Sequence, residues 1–349
     1  MNGTTCPHCN QTNPDAQKTC ERCGQSLLWS TLGQRPSGIN LNLPKPALYA
    51  LLGIALGLGA AHFSPSRRPT TPLPVVQVAT TAPRIDVVFA IDATGSMGDE
   101  IEVVKTKVSK MMTDIQAGNP KPDVRFGLVA YRDHGDAYVT KVYPLTAAVD
   151  TIQTSLTQIE AGGGGDTPEA VAEGLNSAVN EMNWDGDANT TRMIFLIGDA
   201  GPHTNEDFRK PVQDAHAKGI KINTWGCSGL QDSGQKEFND IALLGGGQFQ
   251  FLTYQQEVVR ADGSKARLVF QGKETFECST EAKWAEGADA VADKRRVDDG
   301  LVSAPGASGG AAYKSAAYAP SSSARMENNL DTVLVRQVQD EARKKGVSY

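Results

Sequence analysis

The chain has 349 residues, an ordinary globular composition and a formal net charge of −6. This length is typical of about two domains with a substantial core, and the acidic balance excludes nucleic-acid binding through bulk positive charge. Four of the six cysteines lie near the N-terminus, so they indicate a single local site and not a disulfide framework across the chain.

Residues 1–30 are predicted to form a small zinc ribbon. Two Cys-x-x-Cys pairs supply four thiolates, the usual ligand set of a structural Zn²⁺ site: Cys6, Cys9, Cys20 and Cys23. Redox pairs or disulfides are the alternative, but neither pair lies next to a βαβ pattern. The segment resembles the zinc ribbons at the head of many prokaryotic membrane proteins, which implies a structural or docking role.

Residues 31–45 have the glycine and proline content of a linker, and residues 46–63 are predicted to be a transmembrane helix. No charged residue occurs between Lys45 and Arg67. A helix over 46–63 would be about 27 Å long, just short of the roughly 30 Å hydrocarbon core, so a buried core helix is the alternative. Residues 64–84, rich in proline and threonine, predict a stiff linker.

Charge does not decide the membrane orientation, because basic residues before the span balance those after it. Free thiolates persist in the reducing cytosol. We therefore expect a single-pass protein of the cell membrane, with the ribbon in the cytoplasm and the chain after residue 64 in the periplasm or outside the cell. Cys227 and Cys278 would then be either bridged or buried and inert.

From Ile85 onward, strand and helix patterns alternate, which predicts a Rossmann-like, doubly wound α/β fold with a mostly parallel sheet. The predicted strands are 85–91, 124–130, 138–143, 193–197, 220–225 and 248–252. The predicted helices are 97–118, 151–161, 168–184, 208–218 and 235–244.

Three predicted strand or loop ends carry small side chains with oxygen atoms. They are Asp92, Thr94 and Ser96 in the first, Asp166 and Thr167 in the second, and Asp199 in the third. In an open α/β sheet, ligand sites lie beyond the carboxyl ends of the strands, and this oxygen chemistry suits a hard cation such as Mg²⁺. The second pair also has a structural interpretation, because a helix N-cap before Pro168 favours the same residue types.

The complete set, within residues 85–255, resembles the metal-ion-dependent adhesion site (MIDAS) of von Willebrand factor A (VWA) domains. That pattern is Asp-x-Ser/Thr-x-Ser, then a threonine in a second loop and an aspartate in a third. The stretches 124–134 and 163–169 are particularly similar to A domains attached to some alpha-kinases and to their bacterial relatives.

The resemblance implies one Mg²⁺, with Mn²⁺ or Ca²⁺ as substitutes. Ser96 and Thr167 would bind it through their hydroxyls, and Asp92 would bind directly or through water. Thr94 and Asp199 would hold coordinating waters. Asp166 departs from the family pattern, because its carboxylate could replace Thr167 as the ligand.

A cation held mainly by hydroxyls and waters keeps positive charge and a replaceable water, so it binds an acidic side chain of a protein partner. Asp133, His134, His203 and Trp225 are candidate residues of the partner face. The alternative is a cytoplasmic regulator or a metal-assisted hydrolase with His134 or His203 as the base. The sequence offers no motif for a small-molecule cofactor.

The remaining residues are predicted to add three segments to the A domain. Residues 256–297 contain a hairpin around Asp262-Gly263, and residues 298–325 have the composition of a disordered linker. Residues 326–349 contain an amphipathic helix, Leu330–Gly346, which we expect to pack on the A domain, with partner binding as the alternative.

Overall fold

The computed structural model describes residues 3–5, 12–14, 82–165, 167–279, 293–297, 318–320 and 327–349. The chain divides into two units, Met1–Thr81 and Ala82–Tyr349. In the first unit, β1 (Gly3–Thr5) pairs antiparallel with β2 (Thr12–Pro14). The four predicted zinc ligands and the predicted transmembrane helix at 46–63 lie outside the described residues. Within those ranges, no helix has both the length and the apolar character needed to cross a membrane.

A six-stranded sheet in the second unit confirms the predicted α/β fold. Its strands are β3 (Arg84–Asp92), β4 (Asp123–Tyr131), β5 (Thr140–Thr146), β6 (Thr191–Gly198), β7 (Ile220–Gly226) and β8 (Gly246–Phe251). Their order is β5-β4-β3-β6-β7-β8, and only β5 runs antiparallel to its neighbour. Because β3 is central and covered on both faces, every residue from Ile85 to Asp92 is buried.

Five helices connect these strands. They are α1 (Gly98–Gln116), α2 (Val149–Thr157), α3 (Val171–Asn180), α4 (Arg209–Ala217) and α5 (Asp232–Leu244). A 3₁₀ turn, Gly95–Met97, precedes α1. The helix predicted from Pro168 begins only at Val171, because the backbone N–H of Glu169 donates to the carbonyl of Gly201, 3.0 Å away.

The predicted hairpin extension belongs to a second, antiparallel sheet. Its strands are β9 (Thr253–Arg260), β10 (Lys265–Gln271), β11 (Glu274–Cys278), β12 (Arg295–Arg296), β13 (Tyr318–Pro320) and β14 (Glu327–Asn328). The turn at Asp262-Gly263 is confirmed, with Gly263 at φ +84°. Of the stretch 298–325, predicted to be disordered, only Tyr318–Pro320 is described, and it pairs with β9.

The C-terminal helix α6 (Leu330–Arg343) packs on the A domain as expected. Its apolar side chains share one buried cluster with β3, α1 and the second sheet; they are Leu330, Val333, Leu334, Val335, Val338 and Ala342. Lys107 of α1 also forms an ion pair with Asp331, at 2.6 Å. The hydrophobic core therefore extends beyond the segment first predicted as the A domain.

Leu334→Ala tests whether α6 is an integral part of this core. Because Leu334 is fully buried, its truncation should lower the free energy of unfolding by about 2–5 kcal/mol. Thr332→Ala, on the exposed side of the same helix, should change it by no more than about 0.5 kcal/mol. Equal urea midpoints for the two variants would contradict the placement of α6.

Candidate metal site

Asp92 lies at the carboxyl end of the central strand and is fully buried. Its Oδ1 accepts hydrogen bonds from the backbone N–H of Thr94 at 2.9 Å and from the Thr94 hydroxyl at 2.6 Å. Its Oδ2 is buried without a hydrogen-bond partner among the described residues. Thr94 therefore fixes one oxygen of this carboxylate, and the lone pairs of the other are not used by any hydrogen bond among the described residues.

Ser96 and Asp199 are two further candidate ligands, and they follow the ends of β3 and β6. The Ser96 hydroxyl lies 3.4 Å from that of Thr94 and bonds to the Asp199 carboxylate. Asp199 directly follows Gly198, the last residue of β6. A Cβ on Gly198 would lie 3.3 Å from Oδ2 of Asp92 and 2.6 Å from the Tyr131 hydroxyl, so only glycine lets these strand ends approach so closely.

The glycine-rich loop before α3 is bound to the loop after β3. The backbone N–H of Gly162 donates to the carbonyl of Ala93 at 3.0 Å, and that of Gly95 donates to the carbonyl of Gly163 at 3.1 Å. A Cβ on Gly164, which has φ +62°, would lie 2.8 Å from Cβ of Thr94. The glycine-rich loop thus packs directly against the loop after β3, and the contact leaves no room for larger side chains at these glycines.

Thr167 is exposed and lines a pocket together with Asp199. Five of the six residues of the predicted cation site are therefore placed, and they come from three loops at one edge of the sheet. Asp166 lies outside the described residues.

Acidic groups accumulate around this edge. Burial raises the pKa of Asp92 to about 7; the Thr94 hydrogen bond opposes this change, and the charges of Asp199 and Asp133 add to it. Burial raises the pKa of Glu169 to about 8 and that of Glu100 to about 7. The charge of Asp199 adds to the effect of burial in all three cases, and a divalent cation would stabilise such a cluster of carboxylates.

Two histidines lie in loops at the same edge. Nε2 of His203 lies 2.5 Å from Oδ1 of Asp133, and Nε2 of His134 lies 2.7 Å from Oε1 of Glu206. Burial raises the pKa of Asp133, but hydrogen bonds from His203 and the His134 backbone lower it overall. Asp133, His134 and His203 thus form one connected group.

The prediction that Trp225 belongs to the partner face is wrong. It lies within β7 and is 0% exposed, because its strand is covered on both sides. A surface partner therefore does not reach its ring.

Cys227 and Cys278 are both free thiols in buried positions, so the alternative that they are bridged does not hold.

Glu100 and Glu169 are buried acidic residues that the motif did not identify. Glu100 lies in the first turn of α1, where an acidic residue is expected for the helix dipole alone. Glu169 follows Pro168 directly and carries a buried Oε2 that has no partner in the part of the chain that is described.

Residues 86–253 match the family model of the von Willebrand factor A domain. This segment is a VWA domain. The alpha-protein kinase vwkA of Dictyostelium discoideum is 31% identical over 124 residues, which cover 35% of this chain and 19% of that protein. VWA domain-containing protein 7 of Rattus norvegicus is 34% identical over 114 residues, which cover 33% of this chain and 12% of that protein. The chain thus spans less than a fifth of either relative.

Among solved structures, the chain is similar to proximal thread matrix protein 1 from the mussel byssus with a zinc-occupied MIDAS motif. The TM-score is 0.40 at 17% identity, over 49% of this chain and 42% of that chain.

Asp92→Asn is expected to stabilise the metal-free VWA domain at neutral pH. The pKa of Asp92 rises from 3.8 to about 7 on folding, so the folded state binds this proton more tightly than the unfolded chain does. The contribution of this carboxyl group to the free energy of unfolding is therefore fully present below about pH 4 and is lost as the pH rises through about 7. The upper limit of this loss is about 4 kcal/mol. Asparagine keeps the oxygen that accepts the Thr94 bonds and carries no charge.

Urea unfolding of both proteins in chelator, between pH 5 and 8, measures this difference. The wild-type protein should lose stability relative to Asp92→Asn across that range. Parallel pH profiles would show that the buried carboxylate imposes no such cost.

Proposed function

We propose that the VWA domain is a protein-binding module whose divalent cation accepts a carboxylate from a protein partner. Mg²⁺ is the expected ion, with Mn²⁺ or Ca²⁺ as substitutes. The buried, unpaired Oδ2 of Asp92, next to the Ser96–Asp199 pair, supports this proposal best. A carboxylate oxygen left in that position is stabilised by a cation and is costly without one.

The residues at this edge fit a hard cation. Ser96 and Thr167 offer hydroxyls, and Asp92 and Asp199 offer carboxylates for the ion or for its waters. The Thr94 hydroxyl donates to Asp92, which suits a residue that orients a ligand. Asp166 is the alternative to Thr167 as a ligand. A bound cation would supply positive charge at the edge of the sheet, and these residues would fix its position.

A pocket of about 220 Å³ supports the presence of a partner surface beside the proposed ion. Thr167 and Asp199 line it together with apolar residues, among them Pro168, Ala200 and Pro202, and with polar residues, among them Ser233 and Glu237. An acidic side chain that enters this pocket would reach the proposed ion beside Thr167 and Asp199, and Pro168, Ala200 and Pro202 would offer apolar contacts to its stem. This combination suits an aspartate or glutamate held on a protein surface.

Selection of displayed peptides on the immobilised full chain tests the proposal. Peptides bound in Mg²⁺ and released by chelator should be enriched in aspartate and glutamate, because a carboxylate completes the coordination of the ion. Asp92→Ala should weaken the binding of a selected peptide by about 30-fold or more. Asp114→Ala, about 24 Å along α1 from its start at the site, is the matched control and should bind like the wild-type protein.

Peptides that bind equally well in chelator, or that bind Asp92→Ala unchanged, would contradict the metal-dependent mode. A calorimetric Mg²⁺ titration of the same proteins separates loss of the ion from loss of the peptide contact.

For the N-terminal unit, we propose that Cys6, Cys9, Cys20 and Cys23 bind Zn²⁺ and that residues 46–63 anchor the protein in the membrane. The four-thiolate pattern and the uncharged run between Lys45 and Arg67 support this assignment. The ribbon would then face the cytoplasm, with the VWA domain in the periplasm or outside the cell.

Labelling of intact cells with an impermeant thiol reagent tests this orientation. Asp150→Cys places a thiol at an exposed position of α2, whereas Cys227 is buried and unsuitable. The new thiol should react in intact cells in which the outer membrane, if present, is permeabilised. The native N-terminal cysteines should react only after lysis and removal of zinc. Protection of the new thiol until lysis would place the VWA domain in the cytoplasm.

A further inference from the structure

A second group of potential metal ligands lies at the same edge of the sheet, apart from the hydroxyls and carboxylates described above. His134 belongs to the loop after β4, and His203 and Glu206 belong to the loop after β6. Glu173 reaches the group from the first turn of α3. Three separate segments of the fold thus bring two imidazoles and two carboxylates together.

The distances suit one ion. One ligand atom from each of His134, His203 and Glu206 lies within 4.8 Å of the other two. Nε2 of His134 lies 2.7 Å from Oε1 of Glu206 and 3.4 Å from Oε1 of Glu173. The two imidazole rings are 5.4 Å apart between centroids.

The carboxylates of this group have unused oxygens. Oε2 of Glu206 and Oε2 of Glu173 are both buried, and neither has a hydrogen-bond partner in the described ranges. The two carboxylates also contact each other, and their charges repel. Two neighbouring carboxylates that each have one buried, unpaired oxygen are unfavourable unless a positive charge lies near them, and a metal ion would supply that charge.

We propose that His134, His203, Glu206 and Glu173 form a second metal site, which binds Zn²⁺. Two imidazoles and two carboxylates supply the four ligands that zinc prefers, and imidazole distinguishes this site from the all-oxygen site that suits Mg²⁺. The carboxylate of Asp133 is hydrogen-bonded to Nε2 of His203 and so orients the ring. Histidines that bind a metal usually have a carboxylate or a carbonyl bound to their other ring nitrogen.

A zinc ion at this position would cross-link the loop after β4, the start of α3 and the loop after β6. His203 lies between Pro202 and Thr204, and both of these neighbours line the pocket next to Asp199. The ion would therefore fix one wall of that pocket. This role does not require the Mg²⁺ site to bind a partner.

Zinc titration of the full chain by calorimetry, in excess Mg²⁺, tests the second site. The double variant H134A/H203A should bind one Zn²⁺ fewer per chain than the wild-type protein, whatever the N-terminal cysteines contribute. His216→Ala, which removes an exposed histidine of α4 outside the group, is the matched control and should retain the wild-type stoichiometry. Asp133→Asn should keep the site but weaken it by about 10–100-fold.

Asp92→Ala separates the two proposals, because it removes the proposed Mg²⁺ site and should leave zinc stoichiometry unchanged. Circular dichroism confirms that each variant is folded, and Glu206→Gln provides a milder change should the double variant fail to fold. Zinc should also raise the melting temperature of the wild-type protein more than that of H134A/H203A. Equal zinc stoichiometry in the folded wild-type and H134A/H203A proteins, or in Glu206→Gln at a wild-type affinity, would overturn the proposal.

Discussion

The candidate site is built around one buried carboxylate, that of Asp92, at the end of the central strand. Thr94 binds one of its oxygens, and the other stays dehydrated and unpaired among the described residues. Folding into this arrangement opposes the free energy gained from the apolar core, because an isolated charge loses its hydration. Close packing brings Gly198, at the end of β6, against this oxygen, and Gly164, in the glycine-rich loop, against Thr94.

The rigidity of this edge comes from the body of the domain. Backbone hydrogen bonds join the loop after β3 to the glycine-rich loop, and Glu169 joins that loop to the one after β6. Behind them, the central sheet, α1, the second sheet and α6 share a continuous buried cluster. The C-terminal extension thus stabilises the VWA domain from the side of α1, while the loops at the carboxyl ends of the strands remain available for ligands.

The sequence predicts those features of the fold and of the site that depend on local periodicity and on the order of motifs. Continuous apolar runs identified β3 and β6, alternation of elements identified the parallel sheet, and Asp92, Thr94, Ser96 and Asp199 were located by their spacing. Patterns did not reveal that Trp225 is buried, since a residue near a strand end is equally compatible with the surface. They also did not find the approach of Glu173 and Glu206 to His134, because those residues meet only through tertiary packing of α3 against two loops.

We propose that the unpaired oxygen of Asp92 belongs to a cation site. Crystals of the full chain grown with Mn²⁺, with diffraction recorded where manganese scatters anomalously, test it most directly. We predict a strong anomalous peak among Asp92, Ser96, Thr167 and Asp199, at the carboxyl edge of the sheet. A well-ordered structure without a peak at that position, at saturating manganese, would show that Asp92 does not belong to a cation site.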